Sequence, residues 1–245
     1  MHKNKDAYGQ QVWAAFNGKD SYEVIERDDG FVGLSGGAKS YFAQFKDWPA
    51  WQKKAIRFAK GNVLDIGCGA GRVGLYLQKK NINVTGIDNS PLAITVCKKR
   101  GLKKVRIMPI EKIDKFKPNS LDTIIMFGNN FGLFGDFKKA KRLLKVMHRI
   151  TSPDALIIAE SNDPYNTANS LHLSYHRLNK KRGRMAGQLK IRVRFQNYIG
   201  EWFDYLLVSK KEMENILAGT GWKVKKYIES GKFMYVAIIE KEKEN

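Results

Sequence analysis

The sequence contains little cysteine, little proline and no long apolar run. Its two cysteines, Cys68 and Cys97, are too few for a disulfide framework or an iron–sulfur cluster. None of the six prolines is adjacent to another, and none precedes a cysteine. No stretch is apolar enough to cross a bilayer, and Met1 to Asp6 leads into no apolar signal core. We therefore expect a cytoplasmic protein without a membrane partner.

Acidic residues are also scarce. The chain has 24 Asp and Glu but 44 Lys and Arg, which gives a net charge of +20. Such a balance can indicate nucleic-acid binding. However, most lysines are spread over the predicted helices, as on a solvated surface. Only residues 177–194 concentrate charge, with eight cations and no acid: Arg177, Lys180, Lys181, Arg182, Arg184, Lys190, Arg192 and Arg194. This basic segment is the only part of the charge pattern that predicts a function.

Residues 62–80 predict a strand, a glycine-rich turn and a helix in immediate succession. Val63, Leu64 and Ile66 form a short apolar run that is typical of a strand buried in a parallel sheet. Glycines occupy every second position from 67 to 71, and helical spacing of apolar residues follows. Such a turn lets a ligand approach the backbone, while the helix N-terminus offers unpaired N–H groups.

A carboxylate follows at the end of the next predicted strand. Asp88 follows Gly71, the last glycine of the turn, at a spacing close to the one in nucleotide-binding folds, where an acid about 20 residues further on binds the ribose hydroxyls. Its two oxygens can accept both hydroxyl protons. A structural alternative is that Asp88 belongs to the cap of the helix that begins at Ser90 and Pro91. The two roles are compatible, and we favour the ribose role.

These motifs resemble those of class I S-adenosylmethionine-dependent methyltransferases. The pattern Asp65-x-Gly67-x-Gly69-x-Gly71, followed by Arg72, is similar to the family's first motif, and Asp88 matches the acid after its second strand. The resemblance covers about residues 61–160 and continues by element order. It implies an α/β fold, namely a Rossmann-like, seven-stranded, mostly parallel sheet with helices on both faces and an antiparallel last strand. Because cysteine is scarce, radical use of the same cofactor is excluded.

The resemblance also implies S-adenosyl-L-methionine as the methyl donor and S-adenosyl-L-homocysteine as its product. Asp65 and the glycine loop would hold the donor's methionine end, and Asp88 its ribose. Ile110 and Glu111 would hold the adenine, because Pro109 stands where the family often has an acid. The donor-site residues predicted in this way are Asp65, Gly67, Cys68, Gly69, Gly71, Arg72, Asp88, Asn89, Ile110, Glu111, Phe127 and Asn129.

A loop rich in Asn and Gly follows the predicted strand near Thr123. Its amides, with Asn130 as the catalytic candidate, could position a methyl acceptor, although Asn-Gly turns are common in any protein. The loop differs from the Asn-Pro-Pro-Tyr motif of enzymes that methylate exocyclic base amines. It is weakly similar to small-molecule enzymes that methylate the nitrogen of glycine. We therefore expect a small-molecule acceptor.

Two histidines, His172 and His176, are spaced to share one helix face, with Tyr175 between them. His176 could act as a base near neutral pH, but surface histidines without a role are more common. A metal site is not predicted, because no third ligand lies nearby. Phe131 and Tyr165 could form a wall of the acceptor pocket together with His172 and Tyr175, or they could simply pack in the core.

The chain is predicted to divide into an N-terminal extension, 1–60, and a methyltransferase domain, 61–245, with a substrate-side insertion at about 161–205. We expect the extension to be mostly helical and to act as a lid, and its glycine-rich stretch 26–37 to be a surface turn or the mobile part of that lid. The insertion should contain an antiparallel strand pair.

The predicted function is methyl transfer to N or O of a small molecule, with an anionic acceptor favoured by the basic segment. Two alternatives remain open: an RNA methyltransferase that uses the basic segment, and a non-catalytic protein that only binds S-adenosylmethionine. A dinucleotide oxidoreductase is a further, weaker alternative. The sequence does not predict the oligomeric state.

Overall fold

The computed structural model describes residues 5–243, which alternate between helices and strands along most of their length. The helices are α1 (Ala7–Phe16), α2 (Gly37–Phe42), α3 (Ala50–Ala55), α4 (Arg72–Lys79), α5 (Pro91–Lys99), α6 (Phe137–Ile150), α7 (Ser170–Lys181) and α8 (Lys210–Leu217). The strands are β1 (Val24–Arg27), β2 (Val32–Leu34), β3 (Asn62–Ile66), β4 (Asn83–Asp88), β5 (Val105–Ile107), β6 (Leu121–Met126), β7 (Thr151–Asn162), β8 (Gln188–Phe195), β9 (Tyr198–Ile199), β10 (Phe203–Leu206), β11 (Trp222–Glu229) and β12 (Met234–Lys241).

The main sheet has seven strands in the order β11-β12-β7-β6-β3-β4-β5. The pairs β4/β5 and β6/β7 are parallel, whereas β12 runs antiparallel to both of its neighbours. This arrangement confirms the predicted mostly parallel sheet with an antiparallel last strand. The strand order reverses at β3, which is where open α/β sheets place their ligands.

Capping residues in the sequence determine where helices α5 and α8 begin. Ser90 is the N-cap of α5 and accepts a hydrogen bond from Ala93 N at 3.1 Å, with Pro91 in the first turn. The capping box of Ser209 and Glu212 at the start of α8 is present with both of its hydrogen bonds. Helices α4 and α5 confirm the helix predicted within residues 62–80 and the helix predicted to begin at Ser90 and Pro91.

A second sheet has the order β10-β8-β1-β2, with β9 paired to β8, and the sequence analysis predicted no strand in its N-terminal part. Residues 24–34 form a hairpin whose strand β1 also pairs with β8, as in the Val24↔Arg194 register. That partner lies far along the chain, so local periodicity could not reveal it. The glycine-rich stretch supplies the tight turn of this hairpin, and its role as a lid stays a prediction.

Contacts divide the described chain into two compact units. The first comprises the described residues up to Trp48, together with Leu64–Ile110 and Lys190–Phe203. The second comprises Pro49–Val63, Glu111–Leu189 and the described residues from Asp204 onward. The predicted boundary at residue 60 between an extension and a methyltransferase domain stays a prediction. Each unit is described separately below.

Candidate donor site and acceptor-side residues

In the first unit, strand β3 ends in a loop whose glycines are conformationally required. Gly69 has φ +56°, and a Cβ atom there would lie 2.7 Å from the Tyr8 hydroxyl oxygen. Gly71 has φ +80°, and a Cβ atom there would lie 3.0 Å from Cys97 Sγ. Any larger residue would therefore be strained and crowded at these two positions. The two glycines thus admit the Tyr8 hydroxyl and Cys97 close to the loop backbone, and the approach of a ligand to this loop stays a prediction.

The Asp88 carboxylate connects this loop to helix α5. Its Oδ2 atom accepts a hydrogen bond from Gly69 N at 3.0 Å, and its Oδ1 atom accepts one from Ser90 N at 2.9 Å. The side chain is buried, at 7% exposure. Each oxygen keeps a second lone pair, so the structural role at the start of α5 and a ribose-binding role are compatible.

Asp65, near the end of β3, is a buried carboxylate with an unmet acceptor. Its Oδ2 atom has no hydrogen-bond partner among the described residues. Burial, with a smaller contribution from the nearby Asp88 charge, raises the pKa of Asp65 to about 7, against the attraction of Arg72. Burial likewise raises the pKa of Asp88 to about 6. Unmet buried acceptors of this kind indicate a site that a cationic or hydrogen-bond-donating ligand would complete.

Helix α1 packs on the same loop, which the sequence analysis did not anticipate. Asp6 caps α1 by accepting from Gly9 N at 2.9 Å, and it also accepts from the Ser90 hydroxyl at 2.8 Å. The Tyr8 hydroxyl lies against Gly69. Burial, together with the nearby Tyr41 and the Asp88 charge, raises the pKa of Tyr8 well above its usual value. The only sequence signal was the helical spacing of Tyr8 and Val12, which indicated no more than a packed helix.

The remaining predicted donor residues of the first unit differ in exposure. Cys68 is buried, with its Sγ atom 3.9 Å from Cys97 Sγ. Arg72 lies over the Trp48 ring, 4.7 Å from its centroid. Ile110 is buried, whereas Asn89 is exposed. Of the predicted donor residues in this unit, Asp65, the glycine loop and Asp88 are the ones that lie together.

In the second unit, the loop after β6 is held by two other side chains. Gly128 N donates to Glu160 Oε2 at 2.5 Å, and the Tyr205 hydroxyl donates to the Asn129 carbonyl at 2.7 Å. Glu160 is fully buried and also accepts from Trp51 Nε1 at 2.7 Å. Asn129 adopts φ +62°, and its buried Oδ1 atom has no partner among the described residues. Sequence reasoning missed Glu160 and Tyr205, because neither belongs to a recognisable motif.

Other acceptor-side candidates of this loop pack in the interior. Asn130 opens a 3-10 turn, and Phe131 packs edge-to-face against Phe134 with ring centroids 4.9 Å apart. Phe127 and Phe131 are both buried. Glu111, predicted beside the adenine, forms an ion pair with Lys139 of α6. Their roles toward a ligand stay predictions.

Helix α7 carries His172, Tyr175 and His176, as predicted. Tyr175 is buried at 1% exposure. His176 packs edge-to-face on Tyr165, with ring centroids 5.9 Å apart, and the Tyr165 hydroxyl donates to Glu212 Oε1 at 2.7 Å. Burial and Glu212 raise the pKa of Tyr165 to about 12, which keeps this phenol protonated at neutral pH. The structure thus groups Tyr165 with His176.

Acids of the same chain pair with part of the basic segment. Arg192 forms two hydrogen bonds with the Glu26 carboxylate, at 2.8 and 2.9 Å, and Arg194 lies 2.5 Å from the same group. Arg184 pairs with Asp204 at 2.8 Å. Three of the eight cations are therefore partly neutralised. This reduces the positive potential that the sequence pattern indicated.

Residues 5–243 also bear on two other kinds of feature, a membrane span and a metal centre. No helix in this range combines the length and apolar character that crossing a bilayer requires. Within the same range, no group of three or more His, Cys, Asp or Glu side chains is arranged to hold a metal ion.

Comparisons with known proteins agree with the geometry. Residues 63–154 match the methyltransferase domain family. A curated Bacillus subtilis (strain 168) protein, YqeM, whose name assigns it provisionally to the methyltransferases, is 20% identical over 130 residues. That alignment spans 51% of this chain and 52% of the relative, so the chain matches about half of that protein's length.

Solved structures extend the likeness to the whole chain. A SAM-dependent methyltransferase from Bacteroides fragilis, solved in complex with S-adenosyl-L-homocysteine, is 25% identical, with a TM-score of 0.83 over 99% of this chain and 98% of that one. A SAM-dependent methyltransferase from Methanosarcina mazei shares the fold at 19% identity, with a TM-score of 0.60 over 76% of this chain and 95% of that one. By motif, strand order and these likenesses, the chain contains a methyltransferase domain at residues 63–154 and has the fold of the class I S-adenosylmethionine-dependent methyltransferases.

Proposed function

We propose that this protein transfers the methyl group of S-adenosyl-L-methionine to a nitrogen or oxygen of a small molecule by in-line displacement. The observation that carries the proposal is the buried Asp65 Oδ2 atom, which has no hydrogen-bond partner among the described residues and lies just before the glycine loop. A methyl donor with an ammonium group would supply the missing hydrogen bond. The Bacteroides fragilis relative, with S-adenosyl-L-homocysteine bound, supports the same donor for this chain.

The residues of the first unit suit the parts of this donor. Asp65 would accept from the ammonium of its methionine end, and the backbone of Gly67, Gly69 and Gly71, which carries no side chains, would face that end. Asp88 has a free lone pair on each oxygen for the two ribose hydroxyls. Ile110 would contact the adenine. When bound, the donor supplies an electrophilic methyl carbon on a neutral leaving group, so the protein's main task is to position the acceptor.

The loop after β6 supports an acceptor role in the second unit. Glu160 and Tyr205 fix its backbone, and the Asn129 amide oxygen has no partner among the described residues. A fixed amide oxygen can accept a hydrogen bond from an amine or hydroxyl group. We propose Asn129 and Asn130 as residues that orient the acceptor, with His176 as a base where the acceptor must lose a proton.

The charge of the acceptor is a separate question. The basic segment predicted an anion, yet Glu26 and Asp204 pair with three of its cations. The same ion pairs weaken the case for RNA, since fewer cations remain for phosphate contacts. A cytoplasmic location stays a prediction from the sequence.

Transfer of isotope tests the proposal. The purified protein is incubated with methyl-labelled S-adenosyl-L-methionine and a cell extract that has been separated into small-molecule, RNA and protein fractions. An Asp65→Asn, Asp88→Asn double variant serves as the control. We expect label in a small molecule other than the donor with the wild-type protein only. Label in RNA would favour the RNA methyltransferase, and donor binding without label in any fraction would favour a binding protein without turnover.

A further inference from the structure

Four polar side chains in the first unit form a cluster that the proposed donor site does not include. Tyr8 and Gln11 come from helix α1, Glu23 precedes strand β1, and Tyr41 lies in helix α2. Gln11 is 0% exposed and Glu23 is 5% exposed. Because Gln11 follows Tyr8 by three positions on α1, the two side chains share one face of that helix. We refer to these four residues as the N-terminal polar cluster.

Gln11 is the least explained member of the cluster. Both polar atoms of its side chain, Oε1 and Nε2, are buried without a hydrogen-bond partner among the described residues. Native proteins rarely leave a buried amide unmet in both its donor and its acceptor, because each lost hydrogen bond costs about 1–3 kcal/mol. A ligand that both donates and accepts would remove this cost. Gln11 therefore points to a binding site.

Glu23 contributes a buried carboxylate without a cationic partner in the described part of the chain. The Tyr41 hydroxyl donates to its Oε2 atom at 3.1 Å. Burial raises the pKa of Glu23 above its ordinary value, although the hydrogen bonds from Ser35 and Tyr41 oppose this. A buried carboxylate is normally compensated by a cation. Here, that cation would have to come from a ligand.

The two tyrosines suit the same ligand class. Tyr8 and Tyr41 pack edge-to-face, with ring centroids 5.4 Å apart. Aromatic rings next to a carboxylate attract ammonium groups through the negative potential of their faces. Tyr8 also places the cluster beside the donor loop, since its hydroxyl would lie 2.7 Å from a Cβ atom on Gly69. A ligand in the cluster would be a neighbour of the proposed donor.

We propose that Gln11, Glu23 and Tyr41 form the subsite for the methyl acceptor, and that this acceptor is a small molecule bearing a protonated amine. The inference rests on the proposed methyltransferase function and specifies its substrate class. It differs from the anionic acceptor that the basic segment predicted, and it is an alternative to the acceptor role proposed for the loop after β6. Glu23 determines specificity by pairing with the ammonium, Gln11 supplies the polar hydrogen bonds, and Tyr8 separates this subsite from the glycine loop.

The chemical class of the acceptor is tested by charge fractionation of the labelled product. The protein is incubated with methyl-labelled S-adenosyl-L-methionine and deproteinised cell extract, and the products are passed over a cation exchanger at about pH 2.5. Carboxylates are mostly neutral at this pH and amines keep their charge, so amine-bearing products are retained together with the cationic unreacted donor, which is identified from a reaction without protein and subtracted. We expect the label in the retained fraction. Label in the unretained fraction would overturn the amine assignment while leaving methyl transfer intact, whereas absence of label from every fraction would count against methyl transfer itself.

Variants test the subsite with the acceptor whose labelled product the cation exchanger retains. Glu23→Gln should raise the KM for this acceptor about tenfold or more, the loss expected for a charge-assisted pair, and leave the affinity for S-adenosyl-L-homocysteine unchanged. Glu23→Asp should have a smaller effect, because it keeps the charge. Glu201→Gln, at an exposed acid of the same unit, is the matched control and should change neither quantity.

Equal losses of donor and acceptor affinity in Glu23→Gln would overturn the subsite, because Glu23 would then act on the donor. An unchanged acceptor KM would overturn it as well. Gln11→Met provides a test that is independent of the buried charge, since it removes only the two unmet polar atoms. We expect it to fold at least as stably as the wild-type protein and to raise the acceptor KM, and an unchanged KM would remove Gln11 from the subsite.

Discussion

Asp88 and Gly69 are joined by a hydrogen bond of 3.0 Å, from the glycine amide to the carboxylate Oδ2 atom. Through this bond, the acid at the end of β4 fixes the loop that follows β3. The same carboxylate accepts from Ser90 N at the start of α5. One side chain thereby organises the backbone of the glycine loop and keeps a lone pair on each oxygen for a ligand.

Replacement of Asp88 tests its ligand role. Asp88→Ala should weaken the binding of S-adenosyl-L-homocysteine by tenfold or more, since hydrogen bonds to a charged group contribute about 1.5–3 kcal/mol. The measurement is calorimetric titration, with circular dichroism to confirm that the variant is folded. Asp20→Ala, at an exposed acid of the same unit, is the control. Unchanged affinity in a folded Asp88→Ala variant would remove Asp88 from the donor site.

The raised pKa of Asp65, about 7, predicts a pH dependence of donor binding. Between about pH 4, the ordinary pKa of an Asp side chain, and about pH 7, Asp65 keeps its proton in the folded chain and has lost it in the unfolded chain. The contribution of Asp65 to stability is therefore present at low pH and is lost as the pH rises through this window. Binding of an ammonium group requires the charged carboxylate, so the affinity for the donor increases as the pH rises.

We therefore expect the affinity for S-adenosyl-L-homocysteine to fall severalfold as the pH is lowered from about 7.5 to about 6. Asp88, whose pKa is about 6, should contribute only at the lower end. Titrations at several pH values, with Asp65→Asn as the comparison, measure the effect. An equally steep dependence in Asp65→Asn would assign the titration to another group.

Gly69→Ala isolates the close contact between the loop and helix α1. Gly69 has φ +56°, and its Cβ atom would lie 2.7 Å from the Tyr8 hydroxyl oxygen, whereas Gly30, with φ +87°, has no atom within 4 Å of that position. Both alanine variants carry a backbone cost of about 1 kcal/mol, and only Gly69→Ala adds a clash. We expect a larger loss of unfolding free energy, and a loss of donor binding, in Gly69→Ala alone. Similar losses in the two variants would show that the contact with Tyr8 is unimportant.

Glu160→Gln tests the support of the loop after β6. The carboxylate accepts from Trp51, Gln52 and Gly128, so an amide NH2 group in its place would face N–H donors in a buried site. We expect a loss of about 2–3 kcal/mol in unfolding free energy, measured by urea denaturation. Glu229→Gln, at an exposed acid paired with Lys210, should cost less than about 0.5 kcal/mol. A small effect of Glu160→Gln would mean that the loop does not depend on this acid.

The sequence predicted the parts of the molecule whose signals are local. Strand β3, the glycine loop and Asp88 stand in a short, ordered motif, and the caps at Ser90 and Ser209 require only neighbouring residues. By contrast, β1 is stabilised by pairing with β8 across most of the chain, so its composition alone indicated a turn. Glu160 was missed for the same reason, since its donors Trp51 and Gln52 are distant in sequence.

The N-terminal polar cluster shows a further limit. Tyr8 and Gln11 have ordinary helical spacing, and nothing in the sequence distinguishes a packed glutamine from one with unmet hydrogen bonds. Only the three-dimensional contacts reveal that the Gln11 amide is buried without partners among the described residues. Sequence reasoning can locate a donor loop by its motif, but an acceptor site depends on contacts between segments that have no motif.

The most direct test of the account is calorimetric titration of the purified protein with S-adenosyl-L-homocysteine, and separately with NAD, which a dinucleotide-binding loop would accept. We predict saturable binding of one S-adenosyl-L-homocysteine per chain, weakened about tenfold or more by Asp65→Asn, and no binding of NAD. Binding of NAD without binding of S-adenosyl-L-homocysteine would contradict the assignment of the donor. Unchanged affinity in a folded Asp65→Asn variant would contradict the role of the buried carboxylate on which the proposed function rests.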